Sequence, residues 1–428
     1  MKSIKKIYIA LFVAMIPCLG VNAQESLSLS DAIRIGLESN FDIKIAKQST
    51  SIAEQQNSWG MAGGLPSISL NGSLGTYKEL IAPGDTTLPG EISADLSWVL
   101  FDGFSVRASK AILQSGEELA KGSEMVVVES TIHSIINSYY YVLLQQEMLR
   151  ITETVMEISK DRLAQQQNSK ELGASGTYEY VQAQSDYLTD KSSHLKQEVT
   201  LRDAVRSLNL LLSLPETTEW RLTEQVESPK FDYSLSAMTD KMLSDNRTLK
   251  NQYISLQTRE QEVKQSRSSL YPTIGFTASM AYGNYYMATS SSQDYLKPSV
   301  GISLSYNLFN GGKTRRNINI AELSQEAEQL STDQMTLKLK SELSTQFDGY
   351  NVYREIVTLD SEQLEVSELL MKLSEERYRN GTINSFNFRE VQLAYLQSAT
   401  SRLSSIYNLV VANSELLRLT GGLVSYAK

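Results

Sequence analysis

Cysteine and histidine are almost missing from this chain of 428 residues: Cys18 is the single cysteine, and His133 and His194 are the only histidines. One cysteine rules out a disulfide framework, so an exported version of the chain must be held by packing, a closed sheet or oligomerisation. Each histidine stands alone on a predicted helix, with no second histidine at ligand spacing and no nucleophile beside it. Both read as structural, and no metal site, catalytic residue or cofactor is expected. Phosphate loops and dinucleotide fingerprints are absent too. Acidic residues outnumber basic ones by 49 to 40, which argues against a nucleic-acid partner. Beyond the first 23 residues no run of 18 apolar residues occurs, so no helix is expected to span a membrane. That leaves β-barrels open, because a barrel strand needs only ~9–11 residues and alternates in polarity.

What is present begins with a leader. Lys2, Lys5 and Lys6 precede an apolar run over 7–19, followed by Val21, Asn22 and Ala23, the pattern of a cleavable secretory signal over 1–23. The run is too short for a membrane-crossing helix of roughly 20 residues. Cys18 follows Pro17, where a lipoprotein signal calls for a small residue, so acylation is disfavoured. Removal after Ala23 leaves 37 basic and 49 acidic residues, a net charge of −12.

The remainder reads as a duplication. LPSI (65–68) answers to YPTI (271–274) at an offset of 206. LSWVLFDGF (96–104) answers to LSYNLFNGG (304–312), and GASGTYEYVQAQSDYL (173–188) to GTINSFNFREVQLAYL (381–396), both at 208. The units take in 24–213 and 239–428, joined by 214–238. Each is expected to hold a first helix (30–61 and 236–268), then two strands within 66–102 and 272–310. A very long helix (105–171 and 313–380) and a return helix ending near 213 and 420 complete the unit. The long helices would each reach ~100 Å, and the first and return helices placed end to end would match that length. Apolar positions such as Leu143, Leu149, Ile151, Val155, Leu364, Leu369, Leu370 and Leu373 recur at three to four residues.

The strand segments alternate cleanly. Ile68, Leu70 and Leu74, then Ala94, Leu96, Trp98 and Leu100, form apolar faces opposite Ser, Asn and Asp. Ile274 to Tyr282 and Val300 to Leu308 repeat the pattern against Ser, Thr, Gly and Asn. A soluble sandwich also alternates, yet its exposed face would carry Lys and Glu, which are scarce here. A wet lumen on one side and lipid on the other fits better, with Tyr77, Tyr282, Tyr285, Tyr286 and Tyr295 placed for an interfacial girdle or outer loop. Four strands do not close a barrel. Two copies would supply eight and fill the interior with side chains, whereas three would supply twelve and leave a lumen.

In this order of elements the chain resembles the TolC outer-membrane efflux protein family along essentially its whole length after the leader. LSLSDAIRIGLESNFDIKIAKQ (27–48) resembles the family's opening helix, LPSISL and YPTIGF its strand starts, NLFNGGKTRRNI (307–318) its last strand-to-helix turn, and the turns at Gly173 and Gly381 its two periplasmic hairpin tips. The resemblance implies an α+β membrane protein, a homotrimer with a 12-stranded β-barrel in outer-membrane lipids, continued by a 12-helix periplasmic α-barrel. It implies a passive exit duct for drugs, toxic compounds or polypeptides, powered by an inner-membrane pump or ABC transporter through a periplasmic adaptor protein. The segment 214–238 would belong to the band around the tunnel's middle.

By position in the family, Glu179, Glu390 and Tyr378 match constriction residues, and Asn387 falls where the family has an aspartate. Ile383 stands where some members keep an arginine, a departure that removes one ionic contact. Glu179 and Glu390 read equally as solvated first-turn residues favoured by the helix dipole. Adaptor docking is implied at Gly173, Ala174, Ser175, Gly381, Thr382 and Asn384, which are also good turn and cap residues. The rival readings are a secreted or surface helical coiled-coil protein, which leaves the strands unexplained, and a periplasmic binding protein, which helices of ~100 Å argue against.

Overall fold

The computed structural model describes residues 25–75, 90–173, 176–224, 232–286 and 292–423. The leader with Cys18, Tyr77, Ala174 and Ser175, and the side chains of Tyr285 and Tyr286, lie outside the described residues. The elements are β1 (Glu25–Leu27), α1 (Leu29–Ser39), α2 (Phe41–Gln56), β2 (Ser67–Leu74), β3 (Gly90–Phe101), α3 (Ser105–Glu171) and α4 (Thr177–Leu211). They continue with β4 (Trp220–Leu222), α5 (Leu235–Asp245), α6 (Arg247–Ser268), β5 (Thr273–Tyr286), β6 (Ser292–Ser305), α7 (Lys313–Arg379) and α8 (Ser385–Leu419). The helices α3 and α7 have 67 residues each, and α4 and α8 have 35 each. At 1.5 Å per residue, 67 residues reach ~100 Å.

The first helix of each unit is two helices, not the single helix expected. The break falls at Asn40 and again at Asn246. Asn40 Oδ1 accepts from the backbone N–H groups of Asp42 (2.9 Å) and Ile43 (3.2 Å), capping α2. Its Nδ2 donates to the Leu211 carbonyl at 2.9 Å. Asn246 does the same, accepting from Leu249 N–H and donating to the Leu419 carbonyl, both at 2.9 Å. Each buried asparagine thus starts one helix while satisfying a carbonyl at the end of the return helix.

The glycine-containing turns explain the repeated LFDG and LFNG motifs. Gly103 (φ 67°) and Phe104 (φ 70°), like Gly311 (φ 68°) and Gly312 (φ 78°), take two consecutive left-handed conformations between strand and long helix. At Gly103 a Cβ would also lie 2.4 Å from the Ser268 carbonyl oxygen. Phe104 tolerates positive φ as a non-glycine residue, with its ring set edge-on to Phe101 at 5.4 Å.

The four-stranded antiparallel sheet runs β2-β3-β5-β6. Its register places Ser69, Asp95, Ser279 and Ser299 in one row, and Ile68, Leu96, Ala278 and Val300 in the next. Polar and apolar residues therefore fall on opposite faces. The strand expected to continue through Leu308 ends at Ser305, and Tyr306–Phe309 leads into the turn before α7.

The helices form a strip. α1, α2 and α4 pack on α3; α3 packs on α6 and α8; these pack on α7. A small parallel pair, β1 with β4, sits halfway along α3, where Tyr139 donates to the Leu27 carbonyl at 2.8 Å and bonds Glu224. Trp220 of β4 is buried there with Ile132, Ile135, Leu208 and Leu212, and donates to Asn209 Oδ1 at 2.6 Å. A matching core of Met242, Leu249, Leu343, Tyr350, Leu409 and Leu416 serves the second unit.

Candidate functional site: open edges and hairpin tips

A strip has two edges, and both are unsatisfied. β2 and β6 each have one side without a strand neighbour among the described residues. Below them α2 and α4 pack chiefly on α3, and among the described residues α7 has no helix on its outer side. The sheet's apolar face is open as well, with Ile68, Leu70, Leu74, Val300, Ile302 and Leu304 all strongly exposed. In water such a surface would drive association, and in lipid an open strand edge leaves backbone groups without partners.

Both helical edges carry apolar residues seven apart. On α7 these are Leu323, Leu330 and Leu337, then, after a skip of one residue, Val352, Leu359, Val366 and Leu373. On the opposite edge α2 shows Ile45 and Ile52, with Trp59 just beyond it, and α4 shows Val181, Leu188 and Leu195. All are exposed in the single chain. A seven-residue period on a long helix is the signature of a seam that meets another helix.

The duplication gives that seam a template inside the chain. Leu144 and Ile151 of α3 are buried in one cluster with Ala399 and Leu403 of α8, with Leu396 packed against it. Shifted by 208, the α3 residues become Val352 and Leu359, and the α8 residues become Leu188, Lys191 and Leu195. The same stripe is closed in mid-strip and open at its edges.

At the far end from the sheet, both hairpins turn on a glycine in the left-handed region, Gly173 (φ 73°) and Gly381 (φ 70°). Thr382 N–H and Oγ1 both donate to the Arg377 carbonyl at 2.9 Å, and Asn384 Oδ1 accepts from Asn387 N–H at 2.8 Å, capping α8. Gly173, Gly381, Thr382, Asn384 and Asn387 are all exposed.

Glu179 and Glu390 are not equivalent. Glu179 lies in the first turn of α4 and shares its repeat position with Asn387, whereas Glu390 lies in the second turn of α8. The first-turn dipole reading therefore holds for Glu179 alone. Tyr378 is buried, stacked on Phe388 at 4.9 Å, and its hydroxyl accepts from Gln166 Nε2 at 2.8 Å. Ile383 packs against this pair, giving the tip an apolar contact there.

Sequence reasoning missed the polar junction just inside the tips. Arg389 of α8 makes a two-pronged ion pair with Asp190 of α4, at 2.6 and 2.8 Å. Gln392 donates to the Val155 carbonyl (2.9 Å) and to Ser159 Oγ (3.0 Å), which bonds Asp190. Arg162 of α3 pairs with Asp186 and reaches the Ser385 carbonyl at 3.4 Å. Burial pushes the Arg162 guanidinium below its ordinary value, with Asp186 pulling the other way. The only sequence signal was two aspartates four apart on α4. Missed too were Leu172, Tyr178 and Phe386, large apolar side chains exposed around the tips.

His133 and His194 lie in helix packing. His133 bonds Asn137 and Ser414 and sits 3.5 Å from Glu415; His194 bonds Thr152.

A strip with a lipid-ready sheet at one end, helices of ~100 Å and two sticky edges is a segment of a channel wall. The sequence profile of the outer membrane efflux protein family matches residues 32–213 and 238–422, and the chain belongs to that family. Among curated relatives, the alkaline protease secretion protein AprF of Pseudomonas aeruginosa is 24% identical over 309 residues, a match spanning 68% of this chain and 62% of AprF. The outer membrane efflux protein BepC of Brucella suis is 18% identical over 397 residues, covering 92% and 86%. Among solved structures, the Campylobacter jejuni CmeC outer membrane channel superposes with a TM-score of 0.80 at 16% identity, covering 92% of this chain and 85% of CmeC. The fold is that of an outer membrane channel subunit.

Proposed function

We propose that three copies of this chain close head to tail into an outer-membrane exit duct. The α7–β6 edge of each copy meets the α2–α4–β2 edge of the next. The observation that carries this reading is the match between the two open edges: Val352 and Leu359 on one and Leu188 and Leu195 on the other lie 208 residues from a stripe already buried inside the chain. Three copies supply twelve strands, enough for a lumen, and twelve helical columns beneath them. The apolar sheet face then meets outer-membrane lipid and the Ser, Thr, Asn and Asp face lines water.

Residues 24–213 and 239–428 act as two halves of one subunit, with 214–238 at mid-tunnel and 1–23 as the export leader. The duct is passive, and energy comes from an inner-membrane pump or ABC transporter linked by a periplasmic adaptor. Relatives named for protease secretion and for efflux support polypeptides and small toxic compounds as cargo classes. Glu179, Glu390 and Asn387 would ring the inner mouth, where three identical side chains set ion preference. Tyr378, bonded within its own chain, helps hold the closed tips. Adaptor docking falls on Gly173, Ala174, Ser175, Gly381, Thr382 and Asn384, with exposed Tyr178 and Phe386 as apolar anchors.

The test is the native mass and shape of protein extracted in detergent from isolated outer membranes. A trimer about 140 Å long, a helical tunnel of ~100 Å plus a barrel, is expected. A soluble monomer from the periplasm would overturn the reading and favour the helical structural alternative.

A further inference from the structure

Where the sheet gives way to the long helices, aromatic side chains gather on its apolar side and cations stand just beyond them. The register shift between Val99 and Phe101 pairs Phe101 with Ile274, in the apolar row that continues to Leu304. The bulge thus turns Phe101 onto the lipid-ready face. The Phe104 ring stands edge-on to Phe101 at 5.4 Å and to Tyr271 at 6.5 Å, and the Arg107 guanidinium lies over the Phe104 ring at 5.3 Å. Phe104 and Tyr271 are exposed on this side, and so is Arg107. Shifted by 208, Phe101 becomes Phe309 and Arg107 becomes Arg315, now accompanied by Lys313 and Arg316. Phe309 and all three cations are exposed.

These four cations lack an anion. Among the described residues none of them is in an ion pair: Arg107 meets an aromatic ring, and Arg316 donates to the Gly311 carbonyl at 3.2 Å. Asp102, the acid nearest Arg107 along the chain, accepts from Val106 N–H at 2.8 Å. The first turns of α3 and α7 hold no acid, and cations there oppose the helix dipole, so helix stability does not account for them. Assembly does not cover them either. α3 already packs against α2 and α6, yet Arg107 is exposed, so Arg315 at the same repeat position stays exposed when α7 gains its neighbour.

We infer that these clusters hold the phosphate of an anionic glycerophospholipid in the periplasm-facing leaflet, at two stations per chain related by the duplication. The inference rests on the membrane placement proposed above, with the apolar sheet face in lipid. Acyl chains lying over Ile274 and Leu304 bring the headgroup to the end of the strands. There Phe101, Phe104 and Tyr271 suit the interface, and the planar arginine forks match phosphate oxygens. A zwitterionic headgroup fits less well, because it brings its own cation and no unpaired carboxylate stands beside these arginines to receive it.

Native mass spectrometry of the detergent-extracted protein, supplied with equal parts of phosphatidylglycerol and phosphatidylcholine, is the test. The retained lipid should favour phosphatidylglycerol by roughly fivefold or more, the weight of about one cation at a lipid surface. Arg107→Gln with Arg315→Gln should bring the ratio near one, with assembly read from the mass in the same spectrum. Lys372→Gln, which removes an exposed cation ~85 Å farther along the same helix as Arg315, should leave the ratio unchanged. Excess inorganic phosphate should not displace the lipid, whose acyl chains stay on the sheet; displacement assigns the cluster to free phosphate and overturns the lipid assignment. Equal retention of the two lipids by the parent, or a preference that survives in the double variant, overturns the inference as well. A protein that stays outside phosphatidylcholine vesicles when detergent is removed instead overturns the membrane placement on which the inference stands.

Discussion

Leu359 offers the sharpest test of how the edges are used. It is 64% exposed in the single chain, while Ile151, its counterpart 208 residues earlier, is 5% exposed beneath α8. Assembly that follows the internal template should therefore cover more than half of the Leu359 surface. Fully burying a leucine side chain stabilises by roughly 1.5–3 kcal/mol, so each seam should lose about 1–2 kcal/mol in Leu359→Ala, and three seams ~3–6 kcal/mol. At about 1.4 kcal/mol per factor of ten, that moves trimer dissociation by roughly two to four powers of ten. Leu359→Asp adds the desolvation of an unpaired carboxylate and should do more. The assay is mass photometry of detergent-solubilised protein over a dilution series, with Glu365→Ala on the same helix but off the seam as control. Circular dichroism should show unchanged helix content, because the side chain is largely uncovered in the free chain. A Leu359→Asp protein that stays trimeric to the same dilution as the parent refutes the seam.

Three further outcomes are expected. Asn246→Ala removes a helix cap and leaves the Leu419 carbonyl without its side-chain donor, costing about 2–3 kcal/mol in thermal or urea unfolding, and Asn246→Asp should keep the cap yet remain below the parent. Glu390→Gln should weaken cation preference in single-channel recordings with the trimer intact; unchanged selectivity removes Glu390 from the inner mouth. Burial holds the His133 imidazole below its ordinary value of 6.5, against the pull of Glu415, with Arg418 reinforcing burial. The folded state thus prefers neutral His133, so its contribution to stability is present above pH 6.5 and is lost as pH falls through the lowered value. Melting temperatures measured on either side of that window should fall less on acidification in His133→Gln than in the parent.

Much of the architecture was legible because it follows from local chemistry. Alternation at period two marked the strands, and the sheet register confirms that the alternating residues share faces. The LFDG and LFNG turns were legible because consecutive left-handed residues favour glycine at fixed places. The helix breaks were not. Asn40 and Asn246 look like ordinary helix residues until the Leu211 and Leu419 carbonyls arrive beside them from the return helices. The junction at Arg162, Asp186, Asp190 and Arg389 was equally hidden, since its members come from three helices and Arg389 stands 199 residues from Asp190.

By itself the sequence determined the period of each segment, the positions of the glycine turns and the 208-residue duplication, because these depend on neighbours along the chain. It left the stripes on α3 and α7 looking alike. Tertiary structure decided that Leu144 and Ile151 are closed while Val352 and Leu359 are open, because α3 has helices on both sides and α7 lies at the edge of the strip. Burial is a property of position in the packed layer. An apolar stripe states only that a partner is needed; whether that partner belongs to the same chain is fixed by the order in which the helices lie side by side.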